Sequence, residues 1–144
     1  MRLSRRCRYG VRALIALAVE GEGAPVSIKI IAERERIPVP FLQQLFFRLK
    51  KAGMVKSVRG PGGGFTLARA PEKVPVLDIL QALGEGVDVT ECVAEDRKTV
   101  VCKLAKQCAP RALWQKLEEA VRGVLGGTTL ADLCEQKREL RIRK

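Results

Sequence analysis

The chain contains five cysteines, which are its side chains best suited to metal or redox chemistry: Cys7, Cys92, Cys102, Cys108 and Cys134. Their number is odd and no convincing secretory signal accompanies them, so a disulfide framework is not expected. Metal binding or thiol chemistry is the better interpretation. Three of the five lie in one polar segment without helical periodicity, residues 84–109, whose length indicates either a functional loop or disorder. Cys134 lies on an apolar helical face, so we expect it to pack in the interior.

A second set of polar side chains is suited to reading DNA. Two short helices joined by a tight turn are predicted at about residues 28–34 and 40–53, as in a helix-turn-helix. Gln43 and Gln44, on the outer face of the second helix, can form paired hydrogen bonds with base edges. Cations on the same face suit phosphate oxygens. An ordinary solvated helix face would show the same pattern, so the segments that follow decide between the two interpretations.

A β-hairpin is predicted directly after the second of these helices. Residues 54–59 and 65–69 alternate around a glycine-rich turn, which is typical of the wing of a winged helix-turn-helix. Arg59, at the base of the wing, would reach a minor groove or a phosphate, or else would be a plain surface arginine. No lysine-serine pair follows the glycines, so nucleotide binding by a P-loop is not expected. The residues expected to contact DNA are Pro40, Gln43, Gln44, Arg48, Lys51, Ser57, Arg59, Gly62 and Gly63.

The remaining elements are helical, so the predicted fold class is mostly α with a small β-hairpin wing. A first helix begins after Ser4, and a fourth covers about residues 76–83. A long helix beginning at Pro110 carries an apolar stripe too large for a short domain to cover, so we expect it to be a dimerisation helix. The alternative is a core helix packed on the first one. The predicted parts are a winged helix-turn-helix over residues 1–83, a cysteine-containing sensor loop over 84–109, dimerisation and C-terminal helices over 110–136, and a frayed basic tail over 137–144.

Charge and composition restrict the class of protein. The formal net charge is +11, and ten of these positive charges belong to residues 1–70. Such an asymmetry indicates a basic module that binds a polyanion, most commonly nucleic acid. The chain has no histidine and no paired carboxylates in a catalytic pattern, so an enzyme is not expected. No stretch approaches the roughly 20 apolar residues of a membrane span, and we expect a cytoplasmic protein without a membrane partner.

Several blocks of the sequence resemble the IscR-type family of winged-helix transcriptional regulators, which includes NsrR and CymR relatives. They are Met1-Arg2-Leu3-Ser4, Arg8-Tyr9-Gly10, residues 41–46, residues 58–65, the cysteine loop, Ala112-Leu113-Trp114 and residues 129–133. The likeness covers nearly the whole chain. It implies a homodimer that binds inverted-repeat sites in double-stranded DNA. It also implies a changed specificity, since Gln43 stands where the type member has a glutamate that discriminates DNA sites.

The same resemblance implies an iron-sulfur cluster, of the 2Fe-2S type, held by Cys92, Cys102 and Cys108. In the type member a histidine three residues after the last cysteine completes the ligand set, whereas Arg111 stands here. Zinc accepts the same thiolates. A thiol switch without metal is a further alternative, because Lys103 and nearby Lys106 would favour thiolates.

The fourth ligand is therefore open. Nitric-oxide-sensing relatives take a ligand from the N-terminal helix of the partner, at the position that is Arg8 here. Arginine cannot ligate a metal, but its neighbour can, so we predict Cys7 of the partner subunit as the fourth ligand. The alternative is that Cys7 is a small half-buried helix residue.

The sequence thus predicts a homodimeric DNA-binding regulator, acting as a repressor, whose DNA affinity depends on the cluster. The alternative function is a cluster-free family member controlled by thiol oxidation, by zinc or by a partner metabolic enzyme.

Overall fold

The computed structural model describes residues 2–93 and 102–144. Within these residues the fold is mostly helical with one two-stranded antiparallel sheet, as predicted. The helices are α1 (Arg5–Gly21), α2 (Ile28–Glu35), α3 (Val39–Lys51), α4 (Val76–Ala82), α5 (Arg111–Gly127) and α6 (Leu130–Ile142), and the strands are β1 (Val55–Val58) and β2 (Gly64–Leu67). A short 3-10 helix, Pro71–Lys73, precedes α4.

Side-chain caps fix the starts of three helices. Ser4 Oγ accepts a hydrogen bond from the Cys7 amide at 3.2 Å, and Ser27 Oγ accepts one from the Ile30 amide at 3.4 Å. Thr129 forms a reciprocal capping box with Asp132 at the start of α6. Each cap satisfies an amide that has no partner inside its helix, and α1 and α2 begin where the sequence predicts them.

The core surrounds α1, which packs against α2, α3, α4, α6 and β2. Leu14 of α1 is completely buried, together with Phe46 of α3. The inner stripe of α3 is apolar, since Leu42, Leu45 and Leu49 are also buried. The opposite face of α3 is consequently directed to solvent.

The wing is attached to the turn between α1 and α2. The backbone of Phe65 exchanges two hydrogen bonds with that of Val26, both at 2.9 Å, and the Phe65 ring lies 4.7 Å from the Phe46 ring. Gly64 has a φ of +154°, and a Cβ atom there would lie 2.3 Å from the Val26 carbonyl oxygen. Only glycine fits this close approach, so this position holds the wing against the helical core.

The predicted end of the last helix is wrong. The sequence predicts that it ends by residue 136 and is followed by a frayed basic tail over 137–144, whereas α6 continues to Ile142. Lys137 Nζ lies 2.6 Å from Glu35 Oε1, and Arg141 pairs with Glu20. These partners lie on α2 and α1, so pairing across the fold holds the basic segment in the helix. The division of the chain into four functional parts remains a prediction.

Candidate nucleic-acid interface and cysteine loop

The outer face of α3 presents unpaired polar side chains. Gln43, Gln44, Arg48 and Lys51 are all exposed, as is Pro40 in the first turn. Within the described residues, no hydrogen bond or ion pair engages these four polar side chains. Arg48 lies one helical turn from Gln44, so amide and guanidinium share a face. The arrangement suits base edges beside a phosphate backbone.

An aromatic residue on this face was missed by the sequence reasoning. Phe47 is 69% exposed and lies one turn beyond Gln43 on α3. An exposed phenyl ring on a helix otherwise lined by amides and cations is suited to apolar contact with a thymine methyl group. The available signal was that Phe47 falls outside the buried stripe that includes its neighbour Phe46.

The wing continues this polar face. Lys50 Nζ donates to Ser57 Oγ at 2.8 Å, which links the end of α3 to β1. Arg59 and Gly62 are exposed in the turn between the strands, and the Arg59 side chain makes no hydrogen bond or ion pair within the described residues. A Cβ atom on Gly63 would lie 2.3 Å from the Val58 carbonyl oxygen. The tight turn that presents Arg59 therefore depends on glycine.

A buried carboxylate positions α2 beneath this face. Glu35 is 4% exposed. Its carboxylate accepts hydrogen bonds from Arg12 Nε at 3.0 Å and Lys137 Nζ at 2.6 Å, and its carbonyl accepts one from Arg12 Nη2. The charge is thereby compensated by two cations from α1 and α6. Three helices are joined at one point, which fixes the first helix of the helix-turn-helix.

The three predicted loop ligands are free and partly exposed. Cys92, Cys102 and Cys108 form no disulfide, and Thr90 Oγ1 lies 3.1 Å from Cys92 Sγ. Residues 94–101, between the first two cysteines, lie outside the described part. Among the described residues, no three metal-binding side chains lie together in a group that could hold an ion. The thiols are chemically suitable ligands, but the described geometry does not assemble them.

The other two cysteines are buried. Cys7 is 1% exposed and Cys134 is 2% exposed, and the position of Cys134 agrees with its expected packing role. Cys7 Sγ donates a hydrogen bond to Glu85 Oε2 at 3.3 Å. Burial, together with this hydrogen bond, raises the pKa of Cys7 to about 11. Ligation requires a thiolate, so Cys7 of the partner subunit would have to leave this contact to act as the predicted fourth ligand.

One apolar stripe of α5 is not covered by the chain itself. Leu113, Leu117 and Val124 are 58%, 44% and 68% exposed, and they share a helix face. Val121 and Leu125 instead pack partly buried against the core. The main neighbour of α5 is α4. The sequence alone instead predicts packing on α1 as the alternative to dimerisation. The outer stripe is available to another surface.

The fold and its exposed basic face define the class of protein. It is a winged helix-turn-helix protein that binds DNA and regulates transcription. The chain belongs to the Rrf2 family, whose model, described as an iron-dependent transcriptional regulator, matches residues 3–136. This confirms the resemblance to the IscR-type regulators and the expectation of a regulator rather than an enzyme.

Individual relatives agree with this assignment. The HTH-type transcriptional regulator IscR of Xenorhabdus nematophila is 37% identical over 142 residues, which cover 99% of this chain and 84% of the relative. The structure of CymR, the global cysteine regulator of B. subtilis, has a TM-score of 0.78 at 35% identity, covering 94% of this chain and 98% of CymR. T. potens IscR has a TM-score of 0.74 at 36% identity, covering 97% of this chain and 90% of that one.

None of the helices within residues 2–93 and 102–144 is long and apolar enough to cross a membrane.

Proposed function

We propose that this protein is a homodimeric, cytoplasmic repressor that binds inverted-repeat DNA sites. The observation that carries the proposal is the exposure of Gln43, Gln44 and Arg48 on one face of α3, together with the exposed Arg59 on the wing. In a duplex complex, α3 would enter the major groove. Gln43 and Gln44 would read base edges, and Phe47 would meet a thymine methyl group.

Pairing of two chains is supported by the apolar stripe of Leu113, Leu117 and Val124 on α5. In a two-fold dimer the same surface of each chain meets its copy, so an apolar stripe left exposed in one chain can be covered by the other. A two-fold dimer would place two copies of α3 on successive turns of the duplex, which matches an inverted repeat.

The wing arginine gives the first test. We expect Arg59→Ala to weaken binding to a mixed-sequence duplex. It should also reduce the slope of log affinity against log salt by about 0.9 for each phosphate that the arginine no longer neutralises. Fluorescence anisotropy over a salt series measures both quantities.

Arg143→Ala is the matched control, because it removes the same charge from an exposed position at the end of α6. The control should keep the wild-type slope. An Arg59→Ala slope equal to that of wild type would mean that Arg59 does not bind a phosphate.

We further propose that Cys92, Cys102 and Cys108 hold an iron-sulfur cluster, of the 2Fe-2S type, that modulates DNA affinity. The proposal is supported by three free, partly exposed thiols on one loop and by membership of a family described as iron-dependent. When bound, the cluster would tie the three cysteines together, and oxidation would release them. The last of these cysteines lies just before α5. The fourth ligand proposed is Cys7 of the partner subunit.

Anaerobic purification of cysteine variants tests this ligand set. We expect Cys92→Ala to lose the visible absorption, iron and sulfide of the wild type, because three protein ligands would leave the cluster labile. Cys134→Ala is the control, since that thiol is buried beside Leu130 and should leave the colour intact.

The Cys7→Ala variant separates two possibilities. Loss of colour would assign the fourth ligand to Cys7 of the partner subunit. Full colour would show that Cys7 is not required as a ligand. A colourless wild type that contains zinc, or no metal, would favour the second candidate, a thiol or zinc switch or control by a partner metabolic enzyme. That candidate is supported by similarity to a protein described as a cysteine regulator.

A further inference from the structure

A second basic feature lies beside the exposed face of α3. A cleft of about 380 Å³ separates the start of α1 from α3, and its walls include Ser4, Arg5, Arg6, Phe41, Gln44 and Arg48. Gln44 and Arg48 thus belong both to this cleft and to the proposed base-reading face. The cleft opens at the edge of the surface that would meet the duplex.

Two arginines of the cleft, Arg6 and Arg48, form no direct ion pair within the described residues, although the charge of Glu85 acts on Arg6. A Cβ atom placed on Gly84 would lie 3.7 Å from Arg48 Nη1 and 3.9 Å from Arg6 Nη2, so both guanidinium groups border one point. Arg6 Nη2 donates to the Gly84 carbonyl at 3.4 Å, and among the described residues its Nε is buried without a hydrogen-bond partner.

Converging guanidinium groups with unused donors favour an oxyanion. Like charges repel, and a buried donor without a partner has a desolvation cost. A phosphate oxygen in the cleft would offset the repulsion between the guanidinium groups and accept hydrogen bonds from their unused donors, because guanidinium donors match phosphate geometry. We propose that Arg5, Arg6 and Arg48 bind a backbone phosphate of DNA, next to the bases that Gln44 faces. This inference rests on the proposed function.

The start of the cysteine loop positions this cleft. Glu85 accepts hydrogen bonds from the Ser4 amide at 3.1 Å, from Ser4 Oγ at 2.6 Å and from Cys7 Sγ at 3.3 Å. Hydrogen bonds from Ser4, and less strongly the charge of Arg6, hold the pKa of Glu85 below its ordinary value. The first turn of α1, with its two arginines, is therefore tied to the residue that opens the loop. A displacement of Glu85 would move the arginines proposed to bind DNA.

The test compares Arg6→Gln with Arg143→Gln, which removes the same charge from the exposed end of α6. On a mixed-sequence duplex, Arg6→Gln should lower the salt slope by about 0.9 per protomer, hence by about two for a dimer. Arg143→Gln should keep the wild-type slope. Thermal unfolding followed by circular dichroism confirms that both variants are folded.

Glu85→Ala provides a second readout. It raises the net charge by one, which by general attraction would strengthen duplex binding. The positioning role predicts weaker binding instead, because the first turn of α1 would no longer be held by its three hydrogen bonds to Glu85. Stronger binding by Glu85→Ala would overturn the positioning part of the proposal.

The outcomes distinguish a failure of the cleft proposal from a failure of the proposed DNA-binding function. If Arg6→Gln keeps the wild-type slope while Arg59→Ala lowers it, the cleft proposal is wrong and DNA binding stands. If wild-type protein ignores the duplex at low salt, the proposed function fails. Inorganic phosphate alone, titrated by NMR, should leave the Arg6 side-chain signal unmoved at millimolar concentration. Saturation by free phosphate at that concentration would overturn the assignment to the DNA backbone.

Discussion

Leu117→Glu is expected to make the protein monomeric and to weaken binding to an inverted-repeat duplex by about 100-fold or more, since the gain from linking two binding modules is about 10² to 10⁴. The substitution places a carboxylate in the middle of the exposed stripe of α5. In a two-fold interface that charge would face its own copy or an apolar partner surface. Folding should survive, because Leu117 is 44% exposed in one chain.

Sedimentation velocity and anisotropy on a duplex selected by the wild-type protein measure the two parts of this prediction. Gln115→Glu is the matched control, with the same change in charge at an exposed position outside the stripe. It should remain dimeric and bind normally. A dimeric Leu117→Glu variant with wild-type affinity would place the interface elsewhere.

The second large effect is on stability. We expect Glu35→Gln to lower the free energy of unfolding by about 2 kcal/mol and the melting temperature by about 5–10 °C. Removing one partner of a buried ion pair commonly costs more. The expected loss of stability is smaller than that usual cost, because the Arg12 and Lys137 side chains are 46% and 30% exposed and can turn to water.

Urea unfolding followed by circular dichroism checks this prediction. Glu33→Gln is the control, with the same chemistry at an exposed position on the same helix. It should change the stability by no more than about 0.5 kcal/mol. Equal stability of the two variants would mean that the buried carboxylate contributes nothing to holding α2.

Sequence reasoning located the features that depend on local chemistry. The first helix begins after Ser4 because a hydroxyl capping an amide is a contact within one turn. The outer face of α3 followed from the helical pattern, and the hairpin from alternation around glycines. Each of these features needs only neighbouring residues, so the sequence displays them directly.

Features that depend on distant partners were missed. The extension of α6 rests on Lys137 and Arg141, whose partners Glu35 and Glu20 lie 102 and 121 positions away along the chain. Burial of Cys7 against Glu85 has the same origin. Neither contact has a signature in the local sequence, because any exposed helix carries similar charges.

The pairing of α6 with α1 and α2 also shapes the electrostatic potential around the molecule. Residues 1–70 contain four acids, and two of them, Glu20 and Glu35, are compensated by cations from the other half of the chain. An approaching duplex therefore meets a stronger positive field than the amino-terminal residues alone would generate. Because such fields accelerate diffusional encounter, we expect the cations of the carboxyl-terminal helix to increase the rate of association with DNA.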